Sequence, residues 1–348
     1  MELQTKALLI TLLFTVHPLH VECVSWISGR KFAMMGFFFF LSLYMHILNY
    51  EIIAYVSYIL ACLTQPGAVV LPLVMLFTDY CFYSMDWALF IVYVIPSVLL
   101  LFYFIFKTKF YFWDFPHGKM TSCFQSTHIF LQYLIDFIAP SRLCARYGAF
   151  IPNRYKWVWF TMVIVMLAVF LIFFEKNTIF YGIGFYLICF LPVNGAFPPL
   201  RATKGDRFVY LGSFGLCLVA GAYINFWVIA FMIILACRQN MKWTNDVAVW
   251  ENAYGIAQTS ISRNNLGCAY QKFNMVDHAE FMWNWMLRHD TQKINGWDNL
   301  IRLFSRYWKI PQKANLYLNL AIKTVPHMKE HFLNIFHNRE HSKKEEKK

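Results

Sequence analysis

The sequence predicts an all-α protein in two parts: a polytopic helical membrane bundle over residues 1–237 and a short helical-repeat domain behind it. Three observations predict this. Residues of the AVILMFWYC class make up 59% of the 348-residue chain and charged residues only 14%, against roughly 45–50% and about 25% in soluble domains. Mean hydropathy is +0.44 and Phe alone occurs 36 times, more apolar surface than one core absorbs, so several segments need an apolar solvent. Charge is also segregated, with 14 Lys/Arg and 9 Asp/Glu in residues 1–237 and 17 and 10 in the shorter remainder. This balance excludes an ordinary cytosolic enzyme and a disordered regulator.

The elements follow in chain order. Ala7–Val16 is only ten residues long and follows Lys6, as the apolar core of a signal peptide would, but no small-x-small cleavage site follows closely, so it reads as a shortened helix. Further spans are expected near 32–48, 51–64, 66–83, 87–106, 157–174, 178–193 and 208–236, against the ~20 apolar residues that cross ~30 Å of hydrocarbon. Several are short, and one opens at Gln65-Pro66-Gly67. Such breaks are tolerated only where protein or a wet cavity satisfies the freed backbone groups, which favours a bundle with an interior site. In 122–139, Gln125, His128, Gln132 and Asp136 recur at spacings of three and four and form one polar stripe, expected on an interfacial or cavity-lining helix. Lys107, Lys109 and Lys119 precede it, and Arg142, Arg146, Arg154 and Lys156 follow it. A helix lying in the membrane plane keeps both basic loops on one side.

After Cys237 the pattern becomes that of soluble helices. Residues 238–259 form a linker and a half-repeat helix, with Trp243, Val247, Trp250, Tyr254 and Ala257 on one face. Over 260–328, Asn265-Leu266-Gly267, Tyr270, Ala279, Trp283 and Met286 are echoed by Asn299-Leu300-Ile301, Phe304, Ala314, Leu318 and Ala321, with Pro326 closing the second copy. The early pairs are offset by 34 and the later by 35, which places one inserted residue near Lys309–Lys313. This period and these positions are those of two tetratricopeptide (TPR) repeats. Residues 329–348 read as a charged tail, too polar beyond 338 to pack.

A net charge of +12 in a chain with no zinc finger, RNA-binding signature or Arg-rich arm points to anionic lipid headgroups and not to nucleic acid. The nine cysteines show no metal-ligand spacing and read as small hydrophobes. Two clusters could carry chemistry. His17-Pro18-Leu19-His20-Val21-Glu22, with Trp26, Gly29, Arg30 and Lys31, ends the first helix. Pro18 prevents the two histidines from being regular helix-face metal ligands. Either His17 and Glu22 cap and anchor the helix, or His20 and Glu22 hold a proton while Arg30 neutralises a phosphate. The second cluster is Arg201, Lys204, Asp206, Arg207 and Tyr210 behind Pro198-Pro199. It is either topogenic charge or a site for a lipid-linked phosphate, with Asp206 orienting the Arg207 guanidinium. Asp79, at the end of a span, is a weaker candidate.

In order and spacing these pieces resemble the membrane-embedded, TPR-bearing O-mannosyltransferases of the endoplasmic reticulum and their bacterial relatives. The resemblance rests on Leu13–Glu22 with Trp26–Lys31, Gln65-Pro66-Gly67-Ala68-Val69 with Leu71-Pro72-Leu73 and Asp79-Tyr80, then Pro140, Leu143 and Tyr147, Gly205–Leu211, and Trp243-Thr244-Asn245-Asp246 with Trp250. It implies a fold of the GT-C type that uses a polyprenyl- or dolichyl-phosphate sugar, mannose favoured, as donor substrate on the extracytoplasmic side. Protein Ser/Thr hydroxyls are the expected acceptors, held through the TPR groove. It also implies a multi-pass protein of the bacterial inner membrane or the endoplasmic reticulum membrane, with no covalently bound cofactor; a divalent metal is left open. Family members begin with further spans and an acidic first loop that supplies the catalytic carboxylate and metal contacts, and this chain reads as an amino-terminally shortened version. Glu22 and His20 are therefore the expected catalytic groups, and His17, Arg30, Asp206, Arg207 and Tyr210 the expected substrate-binding groups. Gly205 stands where Ala is commoner, and Phe208 where Tyr is usual. Two other readings are open: a non-catalytic, membrane-anchored TPR scaffold, and a transporter of a lipid-linked sugar using the same arginines.

Overall fold

A computed structural model of the protein describes residues 2–107, 119–147, 177–193, 204–221 and 223–337. The expected span 157–174, Arg154, Lys156, Pro198-Pro199, Arg201 and the tail beyond 337 lie outside the described residues. The architecture is all-α, and the chain divides into two compact units, residues 1–243 and 244–348.

In the first unit, α1 (Glu2–Val16) ends where Pro18 takes the first position of a 3-10 turn, Pro18–His20, with the His17 side chain accepting from the Leu19 N–H. A short α2 (Val21–Ser25) and a second 3-10 turn (Ile27–Gly29) lead into α3 (Arg30–Ile47). Asn49, at φ 60°, turns the chain into α4 (Glu51–Thr64). At Gln65-Pro66 the backbone becomes extended and restarts as a 3-10 segment, Pro66–Val70, which runs into α5 (Leu71–Phe82), as expected of a proline that cannot continue a helix. Then come α6 (Trp87–Lys107), α7 (Lys119–Ile138) and α8 (Thr178–Phe190).

The expected single span 208–236 is two helices, α9 (Gly212–Ala220) and α10 (Phe226–Met241). The reason is local: Asn225 accepts hydrogen bonds from the Trp227 and Val228 N–H groups at 3.1 and 3.3 Å, a cap that starts a new helix inside an apolar run. Among the described residues no single helix is long and apolar enough to cross a membrane; the bent pair Leu3–Val16 and Pro18–Ser25 qualifies only when taken together. Two apolar cores hold the unit. One joins α3, α4, α5 and α8 through Phe39, Tyr58, Leu71, Val74 and Phe185; the other joins α1, α7 and α8–α10 through Leu13, Leu19, Tyr133, Tyr186 and Ile229. Every described cysteine is a free thiol and most are buried.

The second unit comprises α11 (Asp246–Ile256), α12 (Ser260–Lys272), α13 (Val276–His289), α14 (Ile294–Arg302), α15 (Pro311–Thr324) and α16 (Lys329–His337). The echoed positions Leu266, Tyr270, Ala279, Trp283 and Met286, and Leu300, Phe304, Ala314, Leu318 and Ala321, are all buried. Val247, Trp250 and Tyr254 of α11 pack on this core. The extra residue falls between Phe304 and Ile310, at the near edge of the expected 309–313. A π turn, Leu303–Tyr307, follows α14. The Ile310 N–H reaches six residues back to the Phe304 carbonyl at 2.8 Å, where in the first copy the Met275 N–H reaches five back to the Tyr270 carbonyl at 2.9 Å. Residues 329–337, grouped with the tail on sequence, form α16 because Phe332 and Ile335 share a face and are buried.

Candidate functional site

Three short segments of the first unit meet at one place: the turn His17–Gly29, the end of α7 with residues 140–147, and Lys204–Tyr210. Glu22 is 2% exposed and accepts from the Arg207 backbone N–H at 2.9 Å through Oε2. Its Oε1 accepts from Arg207 Nη1. The guanidinium lies over the rings of Phe208 at 4.6 Å and Trp26 at 5.4 Å, stacking that suits its planar, weakly hydrated charge. The turn carrying Trp26 folds tightly onto Glu22, since a Cβ at Gly29 would meet the Glu22 carbonyl oxygen at 2.6 Å.

A second buried pair, Lys204 with Asp136, ties this loop to α7. The Lys204 ammonium also sits 4.1 Å from the Tyr147 ring centre. Between the pairs lies Asp206, 1% exposed, whose Oδ1 accepts from the Tyr147 hydroxyl at 2.5 Å. The same hydroxyl accepts from the Cys144 N–H at 3.1 Å. The Tyr133 hydroxyl closes the loop from the other side, donating to the Gly205 carbonyl at 2.9 Å and accepting from the Gly205 N–H at 3.1 Å.

Electrostatics separates the three carboxylates gathered here into different roles. Burial, and then the neighbouring Glu22 charge, push Asp206 well above the usual carboxylate range, against the opposing Tyr147 hydroxyl and Lys204. Burial likewise raises Asp136, opposed by Lys204. Burial and the Asp206 charge hold Tyr147 well above the ordinary phenol value, so it acts as a donor. Glu22 is committed to Arg207. Arg207 is less committed: apart from Nη1, its side chain makes no hydrogen bond among the described residues. Arg30 is exposed at the start of α3. Arg146 lies near enough to Arg207 that burial and the like charge lower its pKa. The chemistry left open here is recognition of an anionic oxygen cluster by guanidinium donors.

The structure thus brings Glu22, Asp206 and Arg207 together, with a difference from the sequence expectation: Glu22, not Asp206, orients the guanidinium. His17 and His20 are pinned within the fold. His17 Nε2 donates to the Phe137 carbonyl at 3.0 Å while its ring stacks on Phe137, and Nδ1 accepts from the Leu19 N–H at 3.3 Å. His20 Nδ1 donates to the Phe14 carbonyl at 2.5 Å and Nε2 meets the Ser213 hydroxyl at 2.7 Å. The Tyr210 ring packs against His20 and Phe14, 4.8 and 5.4 Å between ring centres. Asp79 lies elsewhere, with His46 held between it and Glu51, each at 3.1 Å. No group of three His, Cys, Asp or Glu side chains suited to a metal occurs among the described residues. Sequence reasoning counted Arg146 as topogenic charge and gave Tyr147 and Asp136 no role at the site; only the polar stripe of 122–139 signalled Asp136.

Fold and site together define an all-helical protein in which short helical turns bring Glu22, Asp206 and Arg207 together beside the end of α7. The chain is similar to a curated protein O-mannosyl-transferase of Caenorhabditis elegans, 22% identical over 313 residues that cover 79% of this chain and 44% of the relative. The similarity is distant, and the chain spans less than half the length of that relative. No protein-family model and no solved structure matches the chain.

Proposed function

We propose that this chain is a membrane glycosyltransferase-like protein of multi-pass topology and GT-C type. In this reading it binds a polyprenyl-phosphate sugar, mannose favoured, for transfer to protein Ser/Thr hydroxyls, and residues 260–328 are TPR repeats that hold the acceptor polypeptide. The observation that carries the reading is the Arg207 side chain, fixed by Glu22 through Nη1 and offering its other donors, with the like charge of Arg146 nearby. In the transfer, the bond from the sugar's anomeric carbon to the phosphate oxygen breaks, a bond from that carbon to the acceptor oxygen forms, and the hydroxyl proton passes to a base. Arginine donors offset the charge that develops on the departing phosphate. The distant similarity to an O-mannosyl-transferase supports this reading.

A second reading, a non-catalytic, membrane-anchored TPR scaffold, is favoured by one observation. Both nitrogens of His20 and both oxygens of Glu22 are engaged within the protein, so neither of the expected catalytic groups is open to a hydroxyl.

The test is radiolabel transfer from polyprenyl-phosphate mannose to protein in membranes expressing the chain. Arg207→Lys keeps a charge for Glu22 but loses the planar fork, and is expected to lower transfer by about tenfold or more, with Arg30→Ala lowering it less. Transfer undiminished in both variants removes the arginines from the mechanism. No transfer by the unaltered chain, with donor binding intact, shifts the assignment to the scaffold.

A further inference from the structure

A separate feature lies on one face of α13. Asp277, Glu280, Phe281, Asn284, Trp285 and Arg288 line an open cavity of about 230 Å³. The Phe281 and Trp285 rings lie nearly parallel, 17° apart with centres at 6.1 Å, and Phe281 is 56% exposed. Stacked in this way, the pair offers the exposed Phe281 ring as an apolar aromatic surface. Around it, hydrogen-bonding groups stand open. Trp285 Nε1 is not one of them, being enclosed within the fold without a partner among the described residues. Asp277 and Arg288 are exposed, and their side chains make no hydrogen bond or ion pair among those residues. Asn284 spends its amide N–H on the Tyr317 hydroxyl at 2.9 Å and leaves its carbonyl oxygen open.

The charges nearly cancel, because Lys313 occupies Glu280 at 2.8 Å and Asp277 is offset by Arg288. A strongly ionic ligand gains nothing there. The combination of a planar aromatic surface with a rim of unspent donors and acceptors suits a molecule having one C–H face and an edge of hydroxyls, which is a pyranose ring. From Asp277 to Arg288 the helix rises about 16 Å, room for a sugar and the residue that carries it.

We propose that this face of α13 binds a neutral pyranoside, namely the sugar on an O-glycosylated polypeptide. The choice of mannose as the probe rests on the proposed function; the site itself needs no donor lipid, so binding and transfer fail independently. The experiment is saturation-transfer NMR on the full chain in nanodiscs, with methyl α-D-mannopyranoside, a Ser/Thr peptide bearing one O-linked mannose, and the same peptide unmodified. The first two are expected to receive saturation and the third not. Phe281→Ala, a change at an exposed position, is expected to weaken the mannoside signal about tenfold through loss of the stacking face. Trp285→Phe keeps an aromatic ring beside Phe281 and trims its area, and is expected to weaken it less. The proposal is overturned by absence of mannoside saturation, by an equal signal in the Phe281→Ala protein, or by equal binding of modified and unmodified peptide.

Discussion

Asp206 illustrates how a single buried carboxyl is governed by its surroundings. Its folded pKa is raised, first by burial and then by Glu22, so the folded state holds a proton that the unfolded chain releases near the ordinary carboxylate value of about 4. Stability contributed by this group is therefore full below that value and is lost as pH rises through the folded pKa, by about 1.4 kcal/mol per pH unit at most. Asp206→Asn preserves the shape and removes the titration, so thermal unfolding followed between pH 4 and 9 is expected to show a flatter profile for the variant and a higher Tm above neutrality. Tyr147→Phe acts oppositely. It strands both the Asp206 oxygen and the Cys144 N–H, costing about 1–3 kcal/mol, and, by removing a bond that holds the Asp206 pKa down, it carries the loss to higher pH. A Tyr147→Phe protein with unaltered Tm at every pH would contradict the hydrogen bonds described. None of this was readable from the residue order. Asp206 stands beside Arg207 in sequence, which favoured pairing them, whereas the 3-10 turn Asp206–Val209 sends consecutive side chains to different partners, and Glu22, 185 positions away, takes the guanidinium.

At the scale of elements, the helices announced themselves wherever a periodic apolar face met a recognisable stop. Pro18, Gln65-Pro66 and the Asn49 turn each end a helix for a reason written in the side chain. The split of 208–236 did not stand out because both halves are uniformly apolar, and the one capping residue, Asn225, is a single letter in a hydrophobic run. In the second unit the pairing of α12 with α13 depends on Trp283, which is fully buried and donates to the Asn264 carbonyl at 3.2 Å. Trp283→Ala is expected to cost about 3–5 kcal/mol. Gly267→Ala places a methyl against the Trp283 indole nitrogen, where a Cβ would sit at 2.5 Å, and is expected to cost about 1–3 kcal/mol by overpacking. Chemical denaturation checks both, and a neutral Gly267→Ala would mean that α12 and α13 pack more loosely than described.

Over the whole molecule, the division at residue 243 falls between α10 and α11, six residues beyond the boundary drawn from the change in composition at Cys237. Composition marks where side chains turn polar, but α10 runs on to Met241 through Arg238-Gln239-Asn240 because a helix ends at a break in its backbone bonding and not at the first charge. Two units with separate cores are expected to unfold in two transitions. Tryptophan-detected melting of the full chain against melting of a Trp283→Ala variant is the measurement: only one of two transitions should shift. A single transition that moves as a whole would show the units to be coupled. The cluster around Arg207 was half legible. Its arginines and Glu22 were visible as charge in apolar surroundings, while its tyrosines, whose contribution is a hydroxyl at the right distance, were not.

The π turn at Leu303–Tyr307 carries a consequence for how such an array tolerates change in length. By taking up its extra residue within the turn region, it returns α15 to the phase of α13, so that Ala314 and Leu318 face inward as Ala279 and Trp283 do. The insertion is silent to the core. Where an extra residue is taken up at a bend, the apolar face of the helix beyond it stays in register, and the longer segment buries its side chains as fully as the shorter one.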